Sequence, residues 1–116
     1  MHEYSIISAL VDQVQAARAG APEQARVQKV HVAIGELAGV DVELLKTAFT
    51  TFRPRTVCEE AELLVRSVAA EWRCPRCQQA LARGAVLSCP SCGRPARLTA
   101  GDEIILERIE LEVPDV

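Results

Sequence analysis

The chain has 116 residues, of which 49% are hydrophobic and 25% are charged, as is usual for a folded globular protein. This length allows one modest hydrophobic core, and it excludes two unless something other than apolar burial stabilises the second. The net charge of -3 argues against a nucleic-acid-binding protein as a whole, but the charge is unevenly distributed. Residues 72–101 contain five arginines and no acid, which leaves 8 basic and 16 acidic residues elsewhere, so this segment carries +5 and the remainder -8.

The beginning of the chain predicts a helix followed by a strand. Apolar residues recur every three or four positions over residues 5–17, which is typical of a helix that buries one stripe. Pro22 follows its predicted end. Over residues 27–35 apolar and polar side chains alternate, as in a strand with one buried face. His31 falls on the other face of this strand and is expected to be solvated.

Asp41 marks the predicted start of a second amphipathic helix, since its side chain can accept a hydrogen bond from the free amides of a first turn. Pro54 ends that helix. Residues 61–71 are expected to form a second strand, and residues 103–113 a third. In this last strand the apolar positions switch from even to odd numbers midway, which indicates a β-bulge or burial of both faces at its start.

The resulting order is helix, strand, helix, strand, cysteine-rich segment, strand. It predicts an α+β protein in which two helices pack on a small sheet of about three strands. We expect a discontinuous domain of residues 1–71 and 99–116, into which a metal-binding unit of residues 72–98 is inserted. We call residues 72–98 the cysteine module.

The strongest pattern in the sequence lies in this module. Two Cys-x-x-Cys pairs are separated by eleven residues, as in a zinc ribbon, and they comprise Cys74, Cys77, Cys89 and Cys92. Four thiolates complete a tetrahedron around zinc and leave no position at which water could be activated, so the predicted zinc is structural. The alternative is a pair of redox-active dithiols. Cys58 stands apart from the cluster and is expected simply to pack.

The sequence contains no secretory signal pattern and no apolar stretch of membrane-spanning length. We therefore expect a cytoplasmic protein with no membrane partner. In a reducing compartment, five cysteines favour a metal site over a set of disulfides.

The amino terminus offers a second set of metal ligands. Met1 is expected to be retained because a large residue, His2, follows it. The free amine, the backbone nitrogen of His2 and its imidazole form a nitrogen set that suits Ni(II) or Cu(II) better than zinc or magnesium. Glu3, or Asp41 if the second helix starts beside the terminus, would add an oxygen. The alternative is a terminal histidine without any role.

Several of these features together resemble the HypA/HybF family of hydrogenase nickel-insertion accessory proteins. The resemblance spans essentially the whole chain and rests on Met1-His2-Glu3-Tyr4-Ser5, Ile34-Gly35-Glu36-Leu37 with Val40-Asp41-Val42-Glu43, Ala48-Phe49, and the two cysteine pairs. One departure is the loop over residues 53–59, where the family more often carries a Gly-Thr turn.

This resemblance implies that His2 and the terminal backbone nitrogens, including that of Met1, bind Ni(II) for transport. Glu3 and Asp41 match family positions near the nickel, and the four cysteines would hold structural Zn(II). The discontinuous domain would be the nickel-binding one. The implied partners are the GTPase HypB and the large subunit of nickel-iron hydrogenase, with the protein itself a monomer or weak homodimer.

The remaining patterns do not predict an enzyme. The sequence has no Gly-rich phosphate loop with a lysine, and its two histidines do not assemble a catalytic triad with any conviction. The rival function is a zinc-ribbon adaptor for nucleic acid or transcription, with the arginines of the module contacting phosphate. The acidic remainder of the chain argues against that rival, and we expect no nucleic-acid partner.

Overall fold

The computed structural model describes residues 3–82, 84 and 86–114. Two helices and five strands follow one another in chain order: α1 (Glu3–Arg18), β1 (Arg26–Gly35), α2 (Val42–Phe52), β2 (Glu62–Val68), β3 (Glu71–Arg73), β4 (Arg97–Ala100) and β5 (Ile104–Glu112). Within this described part of the chain, no helix has the length and apolarity needed to cross a membrane.

Strand β1 forms the centre of a three-stranded sheet with the order β2-β1-β5. It pairs in parallel with β2, to which it is connected through α2, and antiparallel with β5. A central strand is the one most fully covered by neighbours, and β1 has the most strongly buried pattern of the three. The predicted α+β architecture, two helices on a small sheet, is confirmed.

The hydrophobic core lies between the two helices and one face of this sheet. From α1 it takes Ile7 and Val14, and from α2 it takes Leu45, all fully buried. Val30 and Val32 of β1 contact this cluster from the sheet. Together with β1, β2 and β5 the helices form what we call the α/β body.

The switch of apolar parity in the last strand is caused by a β-bulge. His31 pairs with Arg108 while its neighbour Val32 pairs with Leu106, so Glu107 is an extra residue on β5. One extra residue reverses which face each later side chain occupies. The predicted bulge is therefore present, at the point midway along the strand where the apolar parity switches.

The second predicted strand is shorter than expected, because the paired segment ends at Val68. The next residues form β3, which pairs antiparallel with β4 in a separate two-stranded sheet that the sequence did not predict. Strands of three and four residues are too short for apolar alternation to reveal them. This small sheet forms the base of the cysteine module.

A tight turn at residues 35–37 connects the α/β body to the chain on both sides of the module. The backbone N–H of Glu36 donates to Val68 O at 2.8 Å, and that of Leu37 donates to Gly101 O at 2.7 Å. Gly101 has φ +98°, and a Cβ there would lie 2.5 Å from Ala70 Cα, so only glycine is accommodated. The two chain segments that enter and leave the module are thereby held against the body.

The molecule is elongated. Its radius of gyration is 18.3 Å, whereas a compact domain of this length would have about 13 Å. A module extending from the body accounts for this shape.

Candidate metal centre

The first cysteine pair forms a tight loop closed by backbone hydrogen bonds. The N–H of Gln78 donates to Cys74 O at 2.9 Å, and the N–H of Cys74 donates to Gln79 O at 3.1 Å. Gln78 has φ +59°, a left-handed conformation that side chains other than glycine and asparagine rarely adopt. The loop turns the two sulfurs toward a common point, and the N–H of Cys77 lies 3.3 Å from Cys74 Sγ.

The second pair repeats the same loop. The N–H of Gly93 donates to Cys89 O at 2.8 Å, and the N–H of Cys89 donates to Arg94 O at 2.8 Å. Gly93 has φ +73°, so it occupies the position that Gln78 occupies in the first loop. The amino-acid pattern did not predict this conformation for Gln78, although its place directly after the second cysteine of its pair was the available signal.

The four sulfurs converge on one point. The Sγ atoms of Cys74, Cys77, Cys89 and Cys92 all lie within 4.8 Å of one another, and Cys74 Sγ is 3.6 Å from Cys92 Sγ. Bonds of about 2.3 Å from a tetrahedral zinc would separate neighbouring sulfurs by about 3.8 Å. The donor set and its spacing therefore suit a tetrahedral, thiophilic metal ion.

The cluster has an inner and an outer side. Cys74 and Cys89, the first residue of each pair, are buried, whereas Cys77 and Cys92 are exposed. The backbone N–H and C=O of the first cysteine of each pair both form hydrogen bonds within the loop. The backbone at Cys74 and Cys89 is therefore fixed by two hydrogen bonds each. The cluster thus lies at the surface, between the two loops.

The protein backbone already favours thiolate at part of this cluster. The amide of Cys77 lowers the pKa of the Cys74 thiol to about 6, and the amides of Cys92 and Ser91 lower the pKa of Cys89. In contrast, sulfur neighbours raise the pKa of Cys77 to about 12, with Cys92 as the largest cause. Four close sulfurs cannot all ionise without a cation among them, so a metal ion would be needed to hold all four as thiolates.

The arginines around the cluster have no acidic neighbour within the module, because residues 72–98 contain no Asp or Glu. The Arg73 guanidinium donates to Gln78 O at 3.1 Å and so contacts the first loop. Four thiolates and one divalent ion carry a net charge of about -2, which nearby cations offset.

The fifth cysteine is separate from this cluster. Cys58 is fully buried in the core of the α/β body, and burial raises the pKa of its thiol to about 11. It is therefore protonated at neutral pH and packs as a small apolar side chain, as expected.

The predicted terminal ligands are only partly covered by the structure. Met1 and His2 lie outside the described residues, and Glu3 is the first residue of α1. The ring of the adjacent Tyr4 packs edge-on against Phe52, the last residue of α2, with 6.5 Å between centroids. Asp41 precedes the other end of α2, an 11-residue helix that spans about 16 Å.

Asp41 has a structural role that the sequence predicted. Its carboxylate accepts a hydrogen bond from the N–H of Leu44 at 3.1 Å and caps α2. The structure does not place Asp41 and Glu3 in a common cluster of ligands, and a role for either near nickel stays a prediction.

The second histidine of the chain lies away from any cluster of metal ligands within the described residues. His31 is on the sheet face opposite Val30 and Val32, and its Nε2 contacts the Glu110 carboxylate on β5. Its side chain is 20% exposed, so it is less solvated than expected.

Comparison with known proteins identifies the family. The family model described as "Hydrogenase/urease nickel incorporation, metallochaperone, hypA" matches residues 1–111. A relative from Shewanella oneidensis named hydrogenase maturation factor HypA is 36% identical over 114 residues, covering 97% of this chain and 96% of that protein. A relative of the same name from Wolinella succinogenes is 37% identical over 118 residues, covering 99% and 98%.

Two solved structures have the same fold. The solution structure of the Ni metallochaperone HypA from Helicobacter pylori is 31% identical, covers 96% of this chain and 97% of its own, and superposes with a TM-score of 0.71. A further solution structure of a HypA protein is 29% identical, covers 97% of both chains, and superposes with a TM-score of 0.78. From its four-sulfur centre, its fold and these matches, the chain belongs to the HypA family of nickel-incorporation metallochaperones, which are not enzymes.

Proposed function

We propose that this protein binds Ni(II) at its amino terminus and delivers it during maturation of the large subunit of nickel-iron hydrogenase. The ligands in this proposal are the free amine of Met1, the backbone nitrogen of His2 and the His2 imidazole. Glu3 and Asp41 are candidate oxygen ligands. The nickel is cargo, and a chelate with labile positions allows an acceptor with more ligands to take it.

The observation that carries this proposal is the family match, which begins at the first residue of the chain. The distribution of metal ligands also supports it. Among the described residues, the four cysteines are the only group of three or more His, Cys, Asp or Glu side chains with converging ligand atoms. A tetrahedral four-sulfur site has no open position for a second ion, so the cargo requires ligands elsewhere.

Imidazole is a preferred ligand of Ni(II), and the chain has two histidines. His31 is engaged with Glu110 on the sheet, and no further potential ligand completes a site around it within the described residues. This leaves His2, which has two backbone nitrogens within chelating reach, as the favoured imidazole ligand.

The two carboxylates differ in how they would take part. Glu3 directly follows His2 in the chain and begins α1, so it can reach an ion held by the preceding residue. Asp41 would have to exchange its capping hydrogen bond to Leu44 for a bond to nickel. We therefore rank Glu3 above Asp41 as an oxygen ligand.

In the same proposal the four cysteines hold structural Zn(II), and residues 1–71 with 99–116 form the nickel-binding domain. The partners are the GTPase HypB and the hydrogenase large subunit, in the cytoplasm. The protein acts as a monomer or weak homodimer, without nucleic acid or membrane as a partner.

The test is a calorimetric titration with Ni(II) of zinc-loaded protein whose amino terminus is native. We expect His2→Ala to weaken binding by at least about tenfold, since it removes one of the chelating nitrogens. His31→Ala is the matched control and should bind like the parent protein. One glycine added before Met1 should also weaken binding, because it moves the amine out of the chelate.

Equal nickel affinities for the parent, His2→Ala and the glycine-extended protein would overturn the proposed site. Glu3→Gln and Asp41→Asn then rank the two carboxylates. If Asp41→Asn lowers nickel affinity more than Glu3→Gln does, our order of the two is wrong.

A further inference from the structure

The surface between the cysteine module and the α/β body contains two adjoining cavities. The larger, of about 680 Å³, is bordered by Leu37 of the body, by Trp72 of β3 and by Leu87 of the module. The smaller, of about 470 Å³, lies beside the metal centre and is bordered by Val86 and Cys89. Residues 80–82 border both cavities, so the two form one continuous surface. We call it the apolar groove.

The groove concentrates apolar side chains that face solvent. Val86 is 81% exposed, Leu37 50% and Leu87 49%, and these are three of the seven large apolar side chains exposed among the described residues. Neither Val86 nor Leu87 belongs to the hydrophobic core. The stability of the fold therefore does not account for these two side chains, and clustered exposed apolar residues of this kind mark interaction sites.

The groove has acidic residues toward the body and a basic residue toward the metal centre. Toward the metal centre, the larger cavity is bordered by Arg73, which donates to Gln78 O of the first cysteine loop, and residues 72–98 contain no acid. At the end near the body, the groove is bordered by Glu36 and Glu71. A bound segment that complements this pattern carries apolar side chains in its middle and acidic residues at the end nearest the cysteines.

We propose that the apolar groove is a docking site for a segment of another protein that combines apolar and acidic side chains. Its apolar residues cover Leu37, Leu87 and Val86, and its carboxylates face Arg73. Nucleic acid is the poorer occupant, because Trp72 is the sole aromatic residue in the module and bases need such rings for stacking. The proposal does not depend on nickel or on His2.

The test selects ligands from a library of random twelve-residue peptides displayed on phage. The target is the full-length, zinc-loaded and nickel-free protein, and a parallel selection uses the double variant Val86→Ser/Leu87→Ser. We expect the parent to enrich peptides with apolar residues followed by Asp or Glu. The double variant should not enrich them, because exposed serines remove the apolar contact while leaving the cysteines in place.

Affinity is then measured with one enriched peptide, synthesised with a fluorescent label. We expect Val86→Ser/Leu87→Ser to weaken binding by about tenfold or more, as removal of central apolar contacts usually does. Ile105→Ser is the matched control, since Ile105 is 47% exposed but lies on β5, and it should bind like the parent. Trp72, the one tryptophan, borders the groove, and its fluorescence should change when the peptide binds.

Four results would overturn the proposal. The first is a selection that enriches no common pattern, or a basic one. The second is equal peptide binding by the parent and the double variant at unchanged zinc content. The third is an oligonucleotide that displaces the peptide at physiological salt. The fourth is a parent protein that dimerises in gel filtration while the double variant does not, which would make a second copy of this chain the occupant.

Discussion

The α/β body and the cysteine module are stabilised in opposite ways. The core of the body is a cluster of buried side chains from both helices and the sheet. Six of those on α1, α2 and β1 are at most 1% exposed: Ile7, Val14, Leu45, Val27, Val30 and Val32. Among the described residues of the module, the buried side chains are two cysteines, Cys74 and Cys89. The body can thus fold by removing apolar surface from water. The module lacks a comparable core among its described residues, and its four converging sulfurs offer metal ligation instead.

This contrast explains how 116 residues can hold two structural units. Apolar burial becomes inefficient in small units because too much of their surface stays exposed, and metal ligation replaces it. A unit held by metal ligation need not bury its apolar side chains, so those of the module can remain exposed to solvent.

Removing the metal should give the largest effect, and it should affect the module without unfolding the body. Metal binding contributes about 10 to 16 kcal/mol in zinc-finger peptides, so Cys89→Ser should unfold the module while the body stays folded. Amide hydrogen exchange by NMR would measure this, with protection lost at β3 and β4 and kept at β1.

Cys58→Ala serves as the control for that prediction, since it removes a thiol from the body. It should leave the zinc stoichiometry unchanged and lower the stability of the body. Loss of protection in β1 on Cys89→Ser would show that the two units do not fold separately.

A substitution in the core should destabilise the body and leave the metal centre of the module intact. Leu45→Ala should lower the free energy of unfolding of the body by about 2 to 5 kcal/mol, because a fully buried side chain leaves a cavity. Urea unfolding followed by circular dichroism would measure the loss. Leu44→Ala changes the neighbouring, 53% exposed residue and should cost far less. A comparable cost for both variants would contradict the assignment of the core.

The connection between the two units can be tested at Gly101. Gly101→Ala should lower the free energy of unfolding by about 2 to 4 kcal/mol, since left-handed strain and a clash with Ala70 act together. Gly84→Ala introduces the same left-handed strain, at φ +83°, where a Cβ would meet nothing within 4 Å. Gly84→Ala should therefore lower the free energy of unfolding clearly less in the same urea experiment. Equal losses for the two variants would mean that the backbone near Ala70 shifts to relieve the clash at little cost.

The smallest expected effect concerns a surface ion pair of the body. Arg66 donates two hydrogen bonds to Glu107, at 3.1 and 2.9 Å, and this guanidinium lowers the pKa of the Glu107 carboxyl. A carboxyl with a lowered pKa stabilises the fold at pH values above its unfolded pKa of about 4.3. That stabilisation is lost as the pH falls through the lowered folded value.

Arg66→Gln should therefore reduce the urea midpoint slightly at pH 7, and the difference between the two proteins should shrink as the pH falls through the lowered pKa of Glu107. Because the pair is exposed, the difference should also shrink in 1 M salt. Arg26→Gln, which breaks another exposed pair with Glu60, is the control for a general loss of positive charge. A midpoint difference that does not shrink as the pH falls would contradict the proposed linkage.

The amino-acid sequence alone determined the features that depend on neighbours along the chain. The two helices, the cap at Asp41 and the bulge in the last strand follow from periodicity and from one side chain's hydrogen-bonding capacity. The four-sulfur site was predicted from the spacing of the cysteines within two short Cys-x-x-Cys pairs. The helices and the cap are produced by residues a few positions apart. The bulge and the sulfur cluster join distant residues, but each leaves a local pattern, a switch of apolar parity and two matched cysteine pairs, from which it could be predicted.

Only the tertiary structure decided features that join distant residues. Examples are the order of the sheet, the pairing of β3 with β4, and the contact of Arg66 with Glu107 across the intervening β1. The turn at residues 35–37 likewise holds two segments more than thirty residues further along the chain. The apolar groove belongs to this class, because Leu37 meets Trp72 and Leu87 only after the module has been placed beside the body. Such contacts depend on how whole helices and strands pack against one another. The periodicity of side chains within a single helix or strand therefore cannot predict them.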